Sequence, residues 1–313
     1  TAGALPAMTV HRRVTVVCDA EPGRNGVGTY YSDLLDHLTD KVSAINLIAP
    51  GSNSTSVRHW ARFKMPGDDT QHISLPSPFA LYRALKAAQP DIIIIAAPGP
   101  YGILASLMRH RLGARVILGL HTDFEALSSL YWGRWLGQVN RVLMLIINRL
   151  LFRRADAVVS NAETMQALAR AKGARQAIMV STPLPRVLLD TPRSPLNTPP
   201  QRILFVGRLA AEKNIAAVID AAKAHPTLNV AIAGDGPARD QIEAAAKHLD
   251  NLDYLGWVRR ERLVDVLDNS DLLVLPSAVE AFGTVALEAM ARGRLALVST
   301  GCGIADWHAF KPH

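Results

Sequence analysis

An α/β fold built as two doubly wound parallel-sheet domains follows from three features of this sequence. Short apolar runs rich in Val and Ile alternate with stretches of helical spacing along the whole chain. Several of these runs end at glycine turns, where an open α/β sheet binds its ligands. The composition breaks once, between Thr182 and Gln201, where Pro183, Pro185, Pro192, Pro195, Pro199 and Pro200 sit among Ser, Thr and Asn. That break predicts a disordered leader over 1–9, a first domain over 10–184, a linker over 185–201 and a second domain over 202–313. The 313 residues suffice for two α/β domains of ordinary size.

The composition, 49% hydrophobic and 19% charged, is that of a globular protein with substantial cores. No apolar run reaches the roughly 18 residues that span a bilayer, and the first nine residues lack the basic start and apolar core of a signal peptide. Cys18 and Cys302 are too few and too distant for a disulfide framework or a zinc site, so a reducing cytoplasm is the expected compartment. Charge is uneven. Residues 1–200 carry 22 Lys and Arg against 13 Asp and Glu (+9), and residues 201–313 carry 12 against 14 (−2). A basic first half is expected to face an anionic surface or acceptor.

In the first half, Val14–Cys18, Ile45–Ala49, Asp91–Ala96, Arg115–Leu120, Asp156–Ser160 and Ala177–Val180 read as buried strands. Helical spacing covers Tyr30–Leu38, Leu81–Ala88, Ile103–Leu112, Val139–Arg153 and Ala162–Lys172. Asp19–Gly28 is a loop whose Asn25-Gly26-Val27-Gly28 could bring backbone amides to a phosphate, although a plain chain reversal would use the same residues. His121 falls at the carboxyl end of its strand. Two segments carry more than core: Ser56–Met65 interleaves Trp60 and Phe63 with Arg58, Arg62 and Lys64, and Val139–Arg154 mixes Leu143, Leu145, Ile146, Ile147, Leu150, Leu151 and Phe152 with Arg141, Arg149, Arg153 and Arg154. Either could rest on an anionic membrane; a solvated loop and an ordinary packed helix are the plainer readings.

In the second half, strands are expected at Arg202–Val206, Val230–Ala233, Tyr254–Leu255, Leu272–Leu275 and Leu295–Val298. Arg208 ends one strand and Lys213 starts a helix, a pair of cations fit to neutralise a diphosphate. Gly234-Asp235-Gly236 is another strand-end turn, in which Asp235 could simply cap a helix. The densest stretch is Pro276–Gly293: a strand end, Glu280, Gly283 in a turn, the amides of Thr284 and Val285 at a helix start, then Glu288 and a terminating Gly293. Two carboxylates flanking an anion-binding helix start suit a ligand with phosphate in its middle and hydroxyls at both ends.

Taken together these residues resemble the retaining glycosyltransferases of family 4, which have the two-domain, Rossmann-like GT-B fold. The resemblance runs from the Asn25-Gly26 loop to Gly303 and is most specific at Glu280–Glu288, supported by Gly207-Arg208 with Lys213 and by Gly234-Asp235-Gly236. It implies that Arg208 and Lys213 bind the donor diphosphate together with the amides at Gly283, Thr284 and Val285. It implies further that Glu280 contacts the donor sugar, Glu288 holds the ribose hydroxyls, and Leu255-Gly256-Trp257-Val258 lines the nucleobase. His121 matches a histidine near the transferred sugar, and Gly26 a loop glycine near the phosphates and acceptor. His121-Thr122-Asp123-Phe124 and Ala97–Gly102 are similar to a subset acting on lipid or lipid-linked acceptors, including mannosyl- and glycolipid-forming enzymes.

The expected activity is transfer of a hexose, mannose or glucose type, from a GDP- or UDP-linked sugar to a hydroxyl, with retention. No obligatory metal, cofactor or nucleic-acid partner is expected; Asp68-Asp69 are read as a solvated loop rather than a metal motif. Peripheral contact with the inner face of the cytoplasmic membrane is expected from the basic first half. Family members continue for tens of residues beyond the position of Gly303, so the second domain is expected to be incomplete. A shortened sugar-nucleotide-binding protein without transfer is the competing reading, and an epimerase of the same architecture is disfavoured by the Glu280–Glu288 pattern.

Overall fold

The computed structural model describes residues 10–20, 26–50, 57–65, 68–121 and 134–307. The first sheet has six parallel strands in the order β2-β1-β5-β6-β7-β8, formed by β1 (Val10–Val17), β2 (Val42–Ile48), β5 (Ile92–Ile95), β6 (Arg115–Gly119), β7 (Ala157–Ser160) and β8 (Ala177–Met179). Its helices are α1 (Gly26–Leu38), α2 (Pro78–Ala88), α3 (Pro100–Leu112), α4 (Arg134–Arg154) and α5 (Glu163–Ala171). Both faces of this sheet are covered. Val17, Ile93, Ile95, Val116 and Leu118 pack under α2, α3 and α4 on one side, while Val14, Val16 and Ile94 meet Tyr30 and Tyr31 of α1 on the other. Covering both faces is why the strands read as continuous apolar runs rather than alternating ones.

The second sheet has five parallel strands in the order β11-β10-β9-β12-β13: β9 (Arg202–Val206), β10 (Asn229–Ala233), β11 (Leu252–Gly256), β12 (Leu272–Leu275) and β13 (Leu295–Val298). Between them lie α7 (Ile215–Ala224), α8 (Arg239–Ala246), α9 (Leu263–Asp268) and α10 (Thr284–Ala291). One cluster built on Leu204, Phe205, Ile219, Ile232, Leu273 and Phe282 forms its core.

Helix ends follow local chemistry. Ser77 caps α2 by accepting from Ala80 N, with Pro78 at the first helical position. Gly113 closes α3 at φ 65°, a conformation that costs glycine nothing.

Three sequence expectations need correction. Residues 59–65 and 68–76 are not loop but an antiparallel hairpin, β3 (His59–Met65) and β4 (Asp68–Pro76), so Asp68 and Asp69 open a strand. Polar residues in both strands hid the alternation. Gly26–Gly28 form the first turn of α1 rather than part of a loop, because Tyr30 and Tyr31 anchor that helix from its second turn. Asn25 lies outside the described residues.

The proline-rich stretch is not a free tether. It contains α6 (Arg186–Asp190), and the fully buried Arg292 donates to Leu188 O, Thr191 O and Pro192 O while pairing with Asp268 at 2.6 Å. Arg294, also buried, donates to Pro195 O and Ser194 O. Two guanidinium forks therefore fasten this stretch to the second domain by its carbonyls, which the missing proline N–H groups leave unpaired.

The described part of α4 carries two apolar faces. Leu151 and Phe152 are buried under the first sheet, whereas Val139, Val142, Leu143, Ile146 and Leu150 form an exposed stripe, with Ile146 61% exposed. On β3, Trp60 is 73% exposed beside the exposed Arg58 and Arg62. Among the described residues, no helix is long and apolar enough to cross a membrane.

Candidate active site

The site forms where strands of the second sheet end. β9 runs into Gly207, whose N–H donates to Ala233 O at 3.0 Å, and this places Arg208 at the sheet's carboxyl edge. Arg208 Nη2 pairs with Glu212, a residue 3% exposed, in the 3-10 turn Ala211–Lys213 that follows. Lys213, the last residue of that turn, reaches the loop after β12 and pairs with Glu280. That loop is held by backbone. Ala278 N donates to Glu212 O at 2.8 Å, Glu280 N to Gly301 O at 2.9 Å, and Gly303 N to Glu280 O at 2.9 Å. Two cations and two carboxylates thus alternate along one edge. Each cation is part-buried and held by its acid, so it needs little reordering to meet an anion.

The turn after β10 packs against the same edge. A Cβ on Gly234 would sit 1.8 Å from Gly207 O, and one on Gly236 would sit 2.6 Å from Leu209 O, both at positive φ (149° and 154°). Asp235 lies between them: its carboxylate accepts from Gly236 N at 2.9 Å and its carbonyl from Leu209 N at 3.0 Å. Asp235 therefore shapes the turn, and α8 starts after it without a side-chain cap from Asp235. Val258 is half-buried beyond the end of β11, next to Trp257, which is half exposed.

α10 opens at Gly283, which caps it at φ 93° and ψ 53°, and no side chain caps this end. Ala286 N already bonds Gly283 O, so the N–H groups of Thr284 and Val285 open the helix outside its internal ladder. One turn further, Glu288 is 2% exposed, and its Oε1 lies 2.6 Å from Arg260 Nη1. Arg260 Nη2 in turn lies 2.5 Å from Asp33 on α1 of the first domain. Burial pushes the Glu288 and Asp33 carboxyls upward, and Arg260 opposes the shift in both.

α1 also carries the first domain's share of the site. The Tyr31 hydroxyl lies 3.0 Å from His121 Nε2, and the Tyr30 ring packs against the imidazole at a tilt of 41°, 4.2 Å between centroids. Burial lowers the His121 pKa to about 4, with Asn161 opposing the shift. His121 Nδ1 and Asn161 Oδ1 are both buried and both miss strict hydrogen-bond geometry. Asn161 Nδ2 donates to Thr182 Oγ1 at 3.1 Å, which leaves its carbonyl oxygen as the end free to meet the ring. Nearby, Asp19 accepts from Tyr101 N at 2.7 Å and Gly102 N at 3.3 Å, capping α3 from just beyond the end of β1. Burial pushes its pKa up to about 7 against the pull of those N–H groups.

The structure thus brings Arg208, Lys213, Glu280, Gly283, Thr284 and Val285 to one sheet edge. His121 and Glu288 are linked through α1, which touches the first directly and the second through Arg260. Gly26 begins that same helix, and a Cβ there would meet nothing within 4 Å. Thr122, Asp123 and Phe124 lie outside the described residues. Sequence reasoning missed Glu212, Arg260, Asp33, Tyr31 and Asn161. The i,i+4 spacing of Arg208 and Glu212 was the one local signal available for any of them. Among the described residues, no group of three or more His, Cys, Asp or Glu is placed to hold a metal ion.

Comparison with known proteins identifies a family and a fold. The profile described as "Glycosyl transferase 4-like domain" matches residues 2–185, and that of "Glycosyl transferases group 1" matches 189–308. The GDP-mannose-dependent alpha-mannosyltransferase of Mycobacterium tuberculosis is 24% identical over 296 residues, covering 90% of this chain and 77% of its own. The phosphatidylinositol N-acetylglucosaminyltransferase gpi3 subunit of Schizosaccharomyces pombe is 34% identical over 108 residues, 32% of this chain and 24% of its own. Of relatives matching at 37% and 38% identity, the chain spans 28% of the length. Among solved structures, Anabaena HepE with UDP-glucose superposes with a TM-score of 0.67 at 18% identity, over 94% of this chain and 82% of that one. The architecture is the GT-B fold, two Rossmann-like domains.

Proposed function

For a chain that belongs to the family 4 glycosyltransferases, we propose transfer of a hexosyl group, with retention, from a nucleoside-diphosphate sugar to a hydroxyl of a lipid or lipid-linked acceptor. One observation carries this reading: Arg208, Lys213 and the start of α10 converge at one sheet edge with Glu280, at the carboxyl ends of β9 and β12. Such a cluster suits a leaving diphosphate with a sugar at one end. The C1–O bond to the diphosphate breaks as charge builds on the leaving oxygen, and the two cations and the Thr284 and Val285 amides stabilise that charge. The leaving oxygen takes the acceptor proton on the same face, and the new C1–O bond forms there. Glu280 orients the sugar and Glu288 the ribose. His121, uncharged near neutrality, contributes a hydrogen-bonding surface rather than a proton.

The acceptor class rests on the first domain. The stripe on α4 and Trp60 on β3 offer apolar groups, with the exposed Arg58, Arg62, Arg149 and Arg153 beside them, a pattern suited to an anionic bilayer surface. The names of the matched mannosyl- and phosphatidylinositol-directed relatives support a hexosyl donor and a lipid acceptor.

A thermal-shift panel of UDP- and GDP-linked sugars, followed by transfer and hydrolysis assays, tests the reading. Stabilisation by one donor with turnover to product of unchanged anomeric configuration supports it. Binding with neither transfer nor slow hydrolysis defeats the enzymatic reading in favour of a binding protein.

A further inference from the structure

Glu288 is buried on α10. Its Oε1 is approached by Arg260 Nη1 at 2.6 Å but makes no hydrogen bond of good geometry among the described residues, and Arg260 Nε, also buried, has no acceptor among them. A buried carboxylate in this state costs several kcal/mol unless a counter-ion and further donors serve it. The counter-ion is shared. Arg260 Nη2 lies 2.5 Å from Asp33, whose side chain is 7% exposed on the helix that also holds His121. The charged groups that bear on this cluster are Arg260 and Asp33 upon Glu288, with Asp36 and His37 acting on Asp33 from α1.

We propose that Arg260 is a positioning residue of the donor seat: it fixes the Glu288 carboxylate as the acceptor for ribose hydroxyls and, through Asp33, ties that seat to the first domain. This rests on Glu288 being the ribose carboxylate. With Oε1 covered by Arg260, a ribose hydroxyl would meet the carboxylate at its other oxygen. Without the guanidinium, nothing on Arg260 would oppose the upward push that burial puts on the Glu288 carboxyl, and a carboxyl that holds its proton is a poorer acceptor. Arg260 also explains how one turn of α1 reports to both ends of the donor. Tyr31 stands on His121, and two residues later Asp33 stands on Arg260.

The test is binding of UDP and GDP, by calorimetry, to the full chain across roughly pH 6 to 8.5. Arg260→Gln is expected to weaken the preferred nucleotide about 10-fold near pH 6 and only about 3-fold near pH 8.5, since a carboxyl shifted upward by burial is more fully ionised as pH rises. Arg260→Lys should recover most of the loss, and its retained charge keeps the test valid if the glutamine variant folds poorly. Asp33→Asn should weaken binding about 3-fold by removing the second anchor. An Arg260→Gln loss that is absent, or equal at every pH, overturns the role of Arg260 while a loss in Glu288→Gln keeps the ribose assignment. Unchanged binding in Glu288→Gln overturns both.

Discussion

The Tyr31 hydroxyl lies 3.0 Å from Nε2 of His121, in a pocket closed by the Tyr30 ring. With Asn161 presenting its oxygen to Nδ1, the proton of the neutral ring belongs on Nδ1 and Tyr31 donates to Nε2. The His121 pKa is lowered to about 4, below the unfolded value near 6.5. Between these values the unfolded chain binds a proton that the folded chain refuses. The stabilisation is therefore whole above about pH 6.5 and is lost as pH falls toward about 4, by a few kcal/mol at most. Denaturation of wild type and His121→Phe across that window should show the acid-side slope shrinking in the variant. A His121 ring that titrates near 6.5 by NMR would contradict the assignment.

In the proposed donor seat, Lys213 and Glu280 divide the labour. Lys213→Ala should weaken nucleoside diphosphate binding by about 10-fold or more while leaving the nucleoside little changed, since the lost charge faces phosphate. Glu280→Ala should lower turnover by about 100-fold and change nucleotide affinity by less than about 3-fold. Equal losses in both quantities for both variants would mean that the pair acts only as a structural ion pair.

Two glycines of the site separate steric from chemical need. Gly234→Ala would drive a Cβ against Gly207 O, backbone that cannot yield, at a φ of 149°. A loss of about 2–3 kcal/mol in folding stability is expected. At Gly26 a Cβ meets nothing within 4 Å. Gly26→Ala should melt like wild type, and any loss of donor affinity in it reports close approach of a ligand rather than damage to the fold.

Arg292 is wholly buried, with Asp268 and three carbonyls as partners. Arg292→Met should destabilise the chain by about 3–5 kcal/mol, because it strands the Asp268 charge and the Leu188, Thr191 and Pro192 carbonyls. Urea unfolding measures this. A loss under about 1 kcal/mol would show that the proline-rich stretch is held by other means.

Membrane contact, if α4 makes it, depends on the exposed stripe. Ile146→Glu should reduce sedimentation with anionic vesicles about 10-fold, and binding should fall as salt rises. Equal binding to neutral vesicles would remove the arginines from the explanation.

Most strands could be read along the chain because burial on both faces leaves a local mark: Ile92–Ile95 is four isoleucines in a row. The half-polar β3 and β4 carry no such mark. Their hairpin rests on cross-strand pairs such as Phe63 with Ile73. The proposed donor motif stands out in the sequence for a different reason. Strand end, glycine turn and helix start are consecutive, so Glu280, Gly283, Thr284, Val285 and Glu288 keep their spacing whatever surrounds them.

By itself the sequence determined the two parallel sheets and the family to which the chain belongs, since each rests on short-range pattern and spacing. Only the tertiary structure decided how those residues are charged and held. Arg260 and Asp33 are 227 positions apart, and nothing in either neighbourhood announces the other. Arg260 reads as one more surface arginine in a basic run until the fold sets it between Glu288 and α1. The same holds for Tyr31 on His121 and for Arg292 on the proline-rich stretch. Local propensity is written residue by residue, whereas a buried charge finds its counter-ion only when distant segments pack and exclude water.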